Sequence, residues 1–549
     1  MKPTSLWLAL LGGGALAVAT PPARLPGAEF AVLVGLMVWF AVASGELRRP
    51  AWTSYLLGCV HMACFSWSVR HVMFGAYAAI VLLGGLYFVV GTWIVRAAPR
   101  RLAVPAFGIG VAVAYWLRAE MPEICYPHGQ PCHALWQWPQ LLGAVVLGGE
   151  PLANALLAVL AAAAVQAWRS WRVGAPRWSM ASAWCLGGVG AFALASVAGA
   201  AVRRAAAPPV VESLRVAAVE PGFHPILDCP ADSYAAWARS FDRFVQERLV
   251  QPTRAQLRDG EPIDLVLWPE SVLREDLPRD EVLAGRIKLP LRLPSAAPTR
   301  LLLGANVKQS DQHSTPAAVL VDVATGAVLG HQEKRHLVPG GEFPPLLHSL
   351  PTAVGAWLRE QFAAALRSLP DATPGVELPP LQTAAGVPFG ALLCYDNAFP
   401  DVAAAQVAAG ARCLCVLSNE AWYRGGAELP QLVAMSVVRA LETATPVVRC
   451  TQDGWTVAIG GDGRMLAGLP IQAAPQPAAR ILLVDLPLGS GRLPAMAWWR
   501  RVAGVAMAGL AGALLLHGLI RWAKIRAART ASRAVGETGD PGRADGSGS

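Results

Sequence analysis

Charge is what this sequence is short of. Only 15% of its 549 residues are Asp, Glu, Lys or Arg, and 54% are hydrophobic. A soluble globular chain carries about 25% charge. The composition therefore excludes an ordinary water-soluble protein and requires much apolar surface to face something other than water. Cysteine is sparse as well, ten in the whole chain, which excludes a disulfide scaffold. Cys59, Cys64 and Cys185 lie in apolar runs and read as small hydrophobes, while Cys413 and Cys415 share one face of an expected strand. A basic stripe interleaved with aromatics is missing too, so the net charge of +9 does not indicate nucleic acid. The basic residues sit in short clusters between apolar runs and in the tail, a pattern of membrane topology signals.

The apolar sequence falls into runs near 5–20, 28–45, 52–69, 73–95, 102–117, 141–168, 180–202 and 502–520, lengths that suit membrane-spanning helices. The first run has a second reading as a secretory signal peptide, because Lys2, the apolar stretch and Ala17-Val18-Ala19 fit that pattern. With the N-terminus in the cytoplasm, 14 Lys and Arg residues near span ends fall on the cytoplasmic side and 7 on the other. Among the 14 are Arg48, Arg49, Arg100, Arg101, Arg169 and the tail's Arg521 and Lys524. This orientation makes 1–204 a transmembrane region of seven spans and 500–521 a last span. It puts 210–490 outside the cytoplasm and 522–549 in it as a disordered tail. The loop between the fifth and sixth spans carries Cys125 and Cys132 beside His128 and His133. A disulfide, a metal site and free thiols are all open there, since spacing alone does not establish bond geometry.

Within 210–490 short β-like runs recur, among them 214–219, 265–268, 301–304, 389–394, 413–417 and 447–451. Helical patterns stand between some of them, near 231–250, 352–367 and 430–444. Strands alternating with helices predict a layered α/β domain. Pro370, Pro374, Gly375, Pro379 and Pro380 mark 368–385 as a surface loop.

Three stretches of this domain carry reactive groups. Glu270 follows a β-run ending in Trp268-Pro269. Lys334 precedes the turn His336-Leu337-Val338-Pro339-Gly340-Gly341-Glu342. Cys394 ends an apolar strand and is followed by Tyr395-Asp396. Singly, each has a plainer explanation: a core thiol, an acid at a helix N-terminus, a solvated amine. Together, in this order and spacing, the three resemble the Glu, Lys, Cys set of the nitrilase, or carbon-nitrogen hydrolase, superfamily. More narrowly, the chain resembles the apolipoprotein N-acyltransferase family, the membrane-bound branch of that superfamily. Trp268-Pro269-Glu270, His336 to Pro339 with Gly341-Glu342, Cys394-Tyr395 and Ser418-Asn419-Glu420-Ala421-Trp422 carry the likeness, with Arg439-Ala440-Leu441-Glu442 and Gly463-Arg464.

That resemblance implies a helical transmembrane bundle plus an α-β-β-α sandwich. It implies that Cys394 takes an acyl chain from a phospholipid as a thioester and passes it to the N-terminal amine of a diacylglyceryl-cysteine lipoprotein, with no metal or other cofactor. Glu270 is then the base, and Lys334 stabilises thiolate and oxyanion with a backbone N–H near residue 395. Glu342 orients Lys334 or Glu270, and Tyr395 and Asp396 shape the pocket. A bacterial inner membrane with the catalytic domain on the periplasmic side is the implied location. Trp422, Tyr423, Trp498 and Trp499 are candidates for the lipid interface, with ordinary packing as the alternative. The family usually has Phe at Gly340 and Glu at Asp396, and other residues at Glu220-Pro221-Gly222 and Thr451-Gln452-Asp453-Gly454. Cys-Tyr-Asp with Phe399-Pro400 is closer to soluble amidases, which leaves a membrane-anchored amidohydrolase, acyl transfer to water, as the alternative activity.

Overall fold

The computed structural model describes residues 3–20, 27–174, 180–206, 212–224, 228, 233–291, 293–294, 297–310, 313–345, 351–357, 360, 372–376, 379–424, 426, 428–472, 475–489 and 495–537. Seven long helices come first among them: α1 (Pro3–Ala19), α2 (Ala31–Ser44), α3 (Pro50–Phe65), α4 (Phe74–Ala97), α5 (Ala103–Glu120), α6 (Gly143–Arg172) and α7 (Met180–Ala206). They are apolar on nearly every face, as helices are when one side packs on neighbours and the other meets lipid. Five described segments are long and apolar enough to cross a membrane: Phe74–Ala97, Arg100–Glu120, Gly143–Arg172, Met180–Ala206 and Val502–Lys524. The first three helices occupy expected spans but are shorter, at 17, 14 and 16 residues.

The strands follow α7. The first sheet runs in the order β13 (Arg480–Pro487), β1 (Ser213–Glu220), β2 (Leu265–Leu267), β4 (Arg300–Lys308), β5 (Ser314–Asp322), β6 (Val328–Glu333), with β3 (Leu277–Pro278) beside β4. The second runs β12 (Met465–Gly468), β11 (Val457–Ile459), β10 (Val447–Thr451), β9 (Leu414–Ser418), β8 (Pro388–Leu393), β7 (Leu381–Gln382). In each sheet the central strands are parallel and the outer ones antiparallel.

Strand alternation puts one face of each sheet on the other. Val216 and Ala218 of β1 and Leu265 and Leu267 of β2 meet Leu393, Cys415, Leu417 and Cys450 across the middle. Cys413 and Cys415 thus lie in the intersheet core. The alternate residues Ala217, Val219 and Val266 pack outward with Phe244 of α8 (Tyr234–Phe244) and Leu257 of α9 (Gln251–Asp259). On the second sheet Leu414 and Val416 face α10 (Pro400–Ala408) and α11 (Glu428–Thr443). The layers are α-β-β-α, as the resemblance implied.

The fourth layer is not a surface. Every residue of α11 is buried. Val433, Val437 and Leu441 belong to one apolar cluster with Val416 and Val447 of the sheet and with Val146 and Leu157 of α6. One continuous core therefore runs from the apolar helices into the α/β domain, across the boundary near 204–210 that the sequence suggested.

The last helix, α12 (Ala495–Glu537), continues well past the expected end of its span at 521. Alanine and arginine, abundant beyond 521, are strong helix formers, which accounts for a helix where composition suggested disorder. Residues 538–549 lie outside the described residues, as does much of the expected helix near 352–367 and of the expected loop 368–385. Cys125 and Cys132 are free thiols, and no cluster of His, Cys, Asp and Glu fit for a metal occurs among the described residues.

Candidate active site

Three strand ends converge. Glu270 lies three residues beyond β2, Lys334 directly follows β6, and Cys394 directly follows β8. Glu270 and Cys394 follow parallel strands, whose carboxyl ends carry reactive groups in many α/β folds, while Lys334 follows the antiparallel edge strand β6. Cys394 begins a tight turn, the 3₁₀ segment Cys394–Ala398, with φ of +45°. A side chain held in that left-handed region is strained, and such strain clusters at functional sites.

Lys334 is wholly buried, with its Nζ 3.1 Å from Glu270 Oε1 and 2.6 Å from Glu342 Oε1. Glu342 is fixed in turn by the Val338 N–H, which donates to Oε2 at 2.8 Å. Burial opposes the Lys334 charge, but Glu270 and Glu342 outweigh it and hold the ammonium pKa well above its usual value. Burial, together with the Glu270 charge, lifts Glu342 above the usual carboxylate range despite Lys334.

Burial pushes the Cys394 thiol up to about 12, and the Glu270 charge adds to it; Lys334 and the Ser418 hydroxyl pull it back only in part. Lys334 was expected to favour the thiolate, and it does, but it does not prevail. The resting group is a neutral thiol.

Glu270 is gripped on all sides. Its Oε2 accepts from the Asn419 N–H at 3.2 Å, and its backbone carbonyl accepts from Gln452 Nε2 at 2.8 Å. Behind it stands Gly304, where a Cβ would lie 2.4 Å from the Glu270 Cα. The sequence assigned none of these three a role. Asn419 was legible as part of the Ser418–Trp422 run; Gln452 and Gly304 had no such signal.

Asp396 differs from the expectation. It is buried, and its Oδ1 accepts from the N–H groups of His336 at 2.8 Å and Arg335 at 3.2 Å. Its carboxylate ties the Cys394 turn to the chain just after Lys334 instead of lining a pocket. Burial pushes it up to about 6, opposed by the His336 amide and Lys334. The Asp-for-Glu departure therefore bears on how the turn is held and does not favour water as the acyl acceptor.

Tyr395 turns toward the membrane region: its hydroxyl donates to the Cys125 carbonyl at 2.8 Å, and the His128 ring stacks on it with centroids 5.8 Å apart. The other departures also have structural partners. Gly340, at φ +77°, faces Met73 of the loop before α4, whose Cε would lie 3.1 Å from a Cβ. The Gly222 N–H donates to the Gln452 carbonyl at 2.7 Å, and Glu220 accepts from Gln476 Nε2 at 2.7 Å. The two unusual runs thus brace each other behind Glu270. Trp422 packs edge-on against His224, and Tyr423 joins Tyr395 and Phe399. The side chains of Trp498 and Trp499 lie outside the described residues.

Cys394, half-buried, stands with the buried Lys334 and Glu270 at strand ends of an α-β-β-α sandwich joined to apolar helices, the layout of a membrane-bound enzyme of the carbon-nitrogen hydrolase class. The carbon-nitrogen hydrolase family model matches residues 297–492, and the model of the apolipoprotein N-acyltransferase N-terminal domain matches 12–163. The apolipoprotein N-acyltransferase of Caulobacter vibrioides is 26% identical over 84% of this chain and 85% of its own length. That of Gloeobacter violaceus is 27% identical over 83% and 84%. That of Geobacter metallireducens is 30% identical, over about half of each chain (50% and 51%). An amidase from Nesterenkonia sp. aligns at 18% identity and a TM-score of 0.33, covering 52% of this chain and 96% of its own. Over most of its length this chain is similar to apolipoprotein N-acyltransferases.

Proposed function

We propose that Cys394 carries an acyl chain from a membrane phospholipid to the N-terminal amine of a diacylglyceryl-cysteine lipoprotein, with Glu270 and Lys334 as its catalytic partners. The observation that carries this reading is the Cys394–Glu270–Lys334 arrangement, with its nucleophile turn anchored on the membrane region through Tyr395 and Cys125. Glu270 takes the thiol proton as sulfur attacks the ester carbonyl. The Lys334 ammonium, aided by a backbone N–H near residue 395, stabilises the oxyanion. Collapse expels the lysophospholipid alkoxide, which receives the proton from Glu270. The lipoprotein amine then attacks the thioester, Glu270 accepts its proton, and the amide leaves as the proton returns to sulfur. Glu342 orients Lys334 throughout.

Both substrates are lipids, and this gives a reason for a hydrolase-like domain to share its core with membrane helices. We assign 1–204 and 500–521 to the bilayer of a bacterial inner membrane, 210–490 to its periplasmic side and the tail to the cytoplasm, on the Lys and Arg distribution. Purified protein given labelled phospholipid and a diacylglyceryl lipopeptide is expected to yield the N-acyl amide. Free fatty acid in place of the amide would make it a hydrolase, and neither product would remove the enzymatic reading. Impermeant thiol reagents applied from the cytoplasmic side should miss cysteines introduced in 210–490 and reach those in 169–178.

A further inference from the structure

We propose that Glu150, on a membrane helix, is a positioning residue for the Cys394 turn, acting through Arg439. The turn ends at Ala398, whose carbonyl accepts from Arg439 Nη1 at 3.1 Å. Arg439 is completely buried on α11, and its Nη2 donates to Glu150 Oε1 at 3.0 Å. Its Nε lies 3.0 Å from Glu442 Oε2 on the same helix. The same Glu150 oxygen is 2.8 Å from His133 Nε2, in the loop that also supplies Cys125 to Tyr395. One guanidinium thus joins the nucleophile's turn to the membrane region.

The local backbone supports this use of Glu150. Helix α6 is broken immediately before it, at Gly148 (φ −140°, ψ 18°) and Gly149 (φ 69°, ψ −171°), and Pro151 follows. Gly-Gly ahead of a proline is a recognised cause of a sharp helix kink. The continuing helix starts at the kink with a carboxylate turned into the protein, on the side of α11.

Stability alone does not account for a charge pair at this place. It sits inside the apolar cluster that joins α6 to α11, where a well-packed hydrophobic pair serves stability as well or better. What the pair adds is geometry. The guanidinium is planar, with donors in fixed directions, so the carboxylate on Nη2 sets the direction in which Nη1 meets Ala398. Asn397 is held from the same helix, its Nδ2 donating to the Leu432 carbonyl at 3.0 Å. The proposal rests on Cys394 being the nucleophile of the reaction described above.

The test uses the full-length chain in lipid nanodiscs and p-nitrophenyl butyrate. The p-nitrophenol burst reports acylation of Cys394, checked by mass spectrometry, without phospholipid or lipoprotein. Glu150→Gln should leave the burst amplitude unchanged and slow the burst on the order of tenfold to a hundredfold, as small misplacements of reacting groups do. The double variant Glu150→Met with Arg439→Met replaces the pair by apolar side chains and covers the case in which Glu150→Gln does not fold. It should unfold near the unsubstituted protein's temperature and still acylate slowly. A purely structural pair would give the opposite, with the burst restored along with the fold. A burst within twofold of the unsubstituted rate in whichever variant folds would overturn the proposal. If the unsubstituted chain bursts at Cys394 but transfers no phospholipid acyl chain, the function assigned above fails and the positioning role stands. No burst at Cys394 in that chain would bring down both.

Discussion

Replacing Lys334 by methionine keeps the length of the side chain and removes its charge, and the structure sets out what should follow. The ammonium contacts two carboxylates, at 3.1 Å and 2.6 Å, and is itself wholly buried. Removing one member of a buried ion cluster leaves its partners desolvated and unpaired, at a cost of about 3–5 kcal/mol. On the mechanism proposed, in which Lys334 stabilises the oxyanion, activity should fall separately, on the order of a hundredfold to a thousandfold. The two losses should separate with pH. Glu342 already lies above the usual carboxylate range with Lys334 present; without the ammonium it rises further. An acid whose folded pKa exceeds its unfolded value destabilises the fold while ionised, and is relieved as pH falls through the folded value. The stability gap between Lys334→Met and the unsubstituted protein should therefore be widest at pH 8 and narrow toward pH 5. Adding Glu342→Gln should recover part of the loss at pH 8 without recovering activity. Thermal unfolding in detergent, followed by tryptophan fluorescence, measures the gap, and acyl transfer measures the rest. A pH-independent gap, or a double variant less stable than the single one at pH 8, would refute the reasoning.

Cys394→Ser should fold normally and form no acyl-enzyme, and mass spectrometry of the unsubstituted chain after phospholipid exposure should find the adduct on Cys394. An adduct on Cys413 or Cys415, both fully buried between the sheets, would contradict the assignment. Because the Cys394 thiol is pushed up to about 12, its iodoacetamide alkylation should rise steeply with pH from 7 to 9 without a plateau. A rate flat over that range would mean a preformed thiolate. Gly304→Ala should cost roughly 1–3 kcal/mol from overpacking and reduce acyl transfer more than a typical core change does. The added Cβ meets the Glu270 backbone at 2.4 Å, so full activity in that variant would show that the backbone gives way there.

The sequence by itself determined that this is a membrane protein, because scarcity of charge over runs of this length is a matter of solvation and needs no tertiary information. It also determined the layered α/β domain, through its alternation of short apolar runs with helical periods. Glu270, Lys334 and Cys394 were legible because each sits in a short motif at a strand end. Tertiary structure decided the rest, since partners 60 to 300 residues apart are set by packing. Asp396 binds the backbone of residues 335 and 336, Gln452 holds Glu270, and Arg439 reaches Glu150. No local pattern encodes those distances. Helix α11 shows the limit most plainly. Its apolar residues repeat at helical spacing, which the sequence displays, while the burial of Gln431 and Arg439 depends on the helices of the N-terminal region: Gln431 donates to the Phe65 carbonyl and Arg439 to Glu150. Surroundings that only the fold supplies also set the Cys394 thiol. A lysine named from sequence implies a thiolate; the desolvation that the fold imposes on the sulfur, with the Glu270 charge, raises its pKa to about 12 instead.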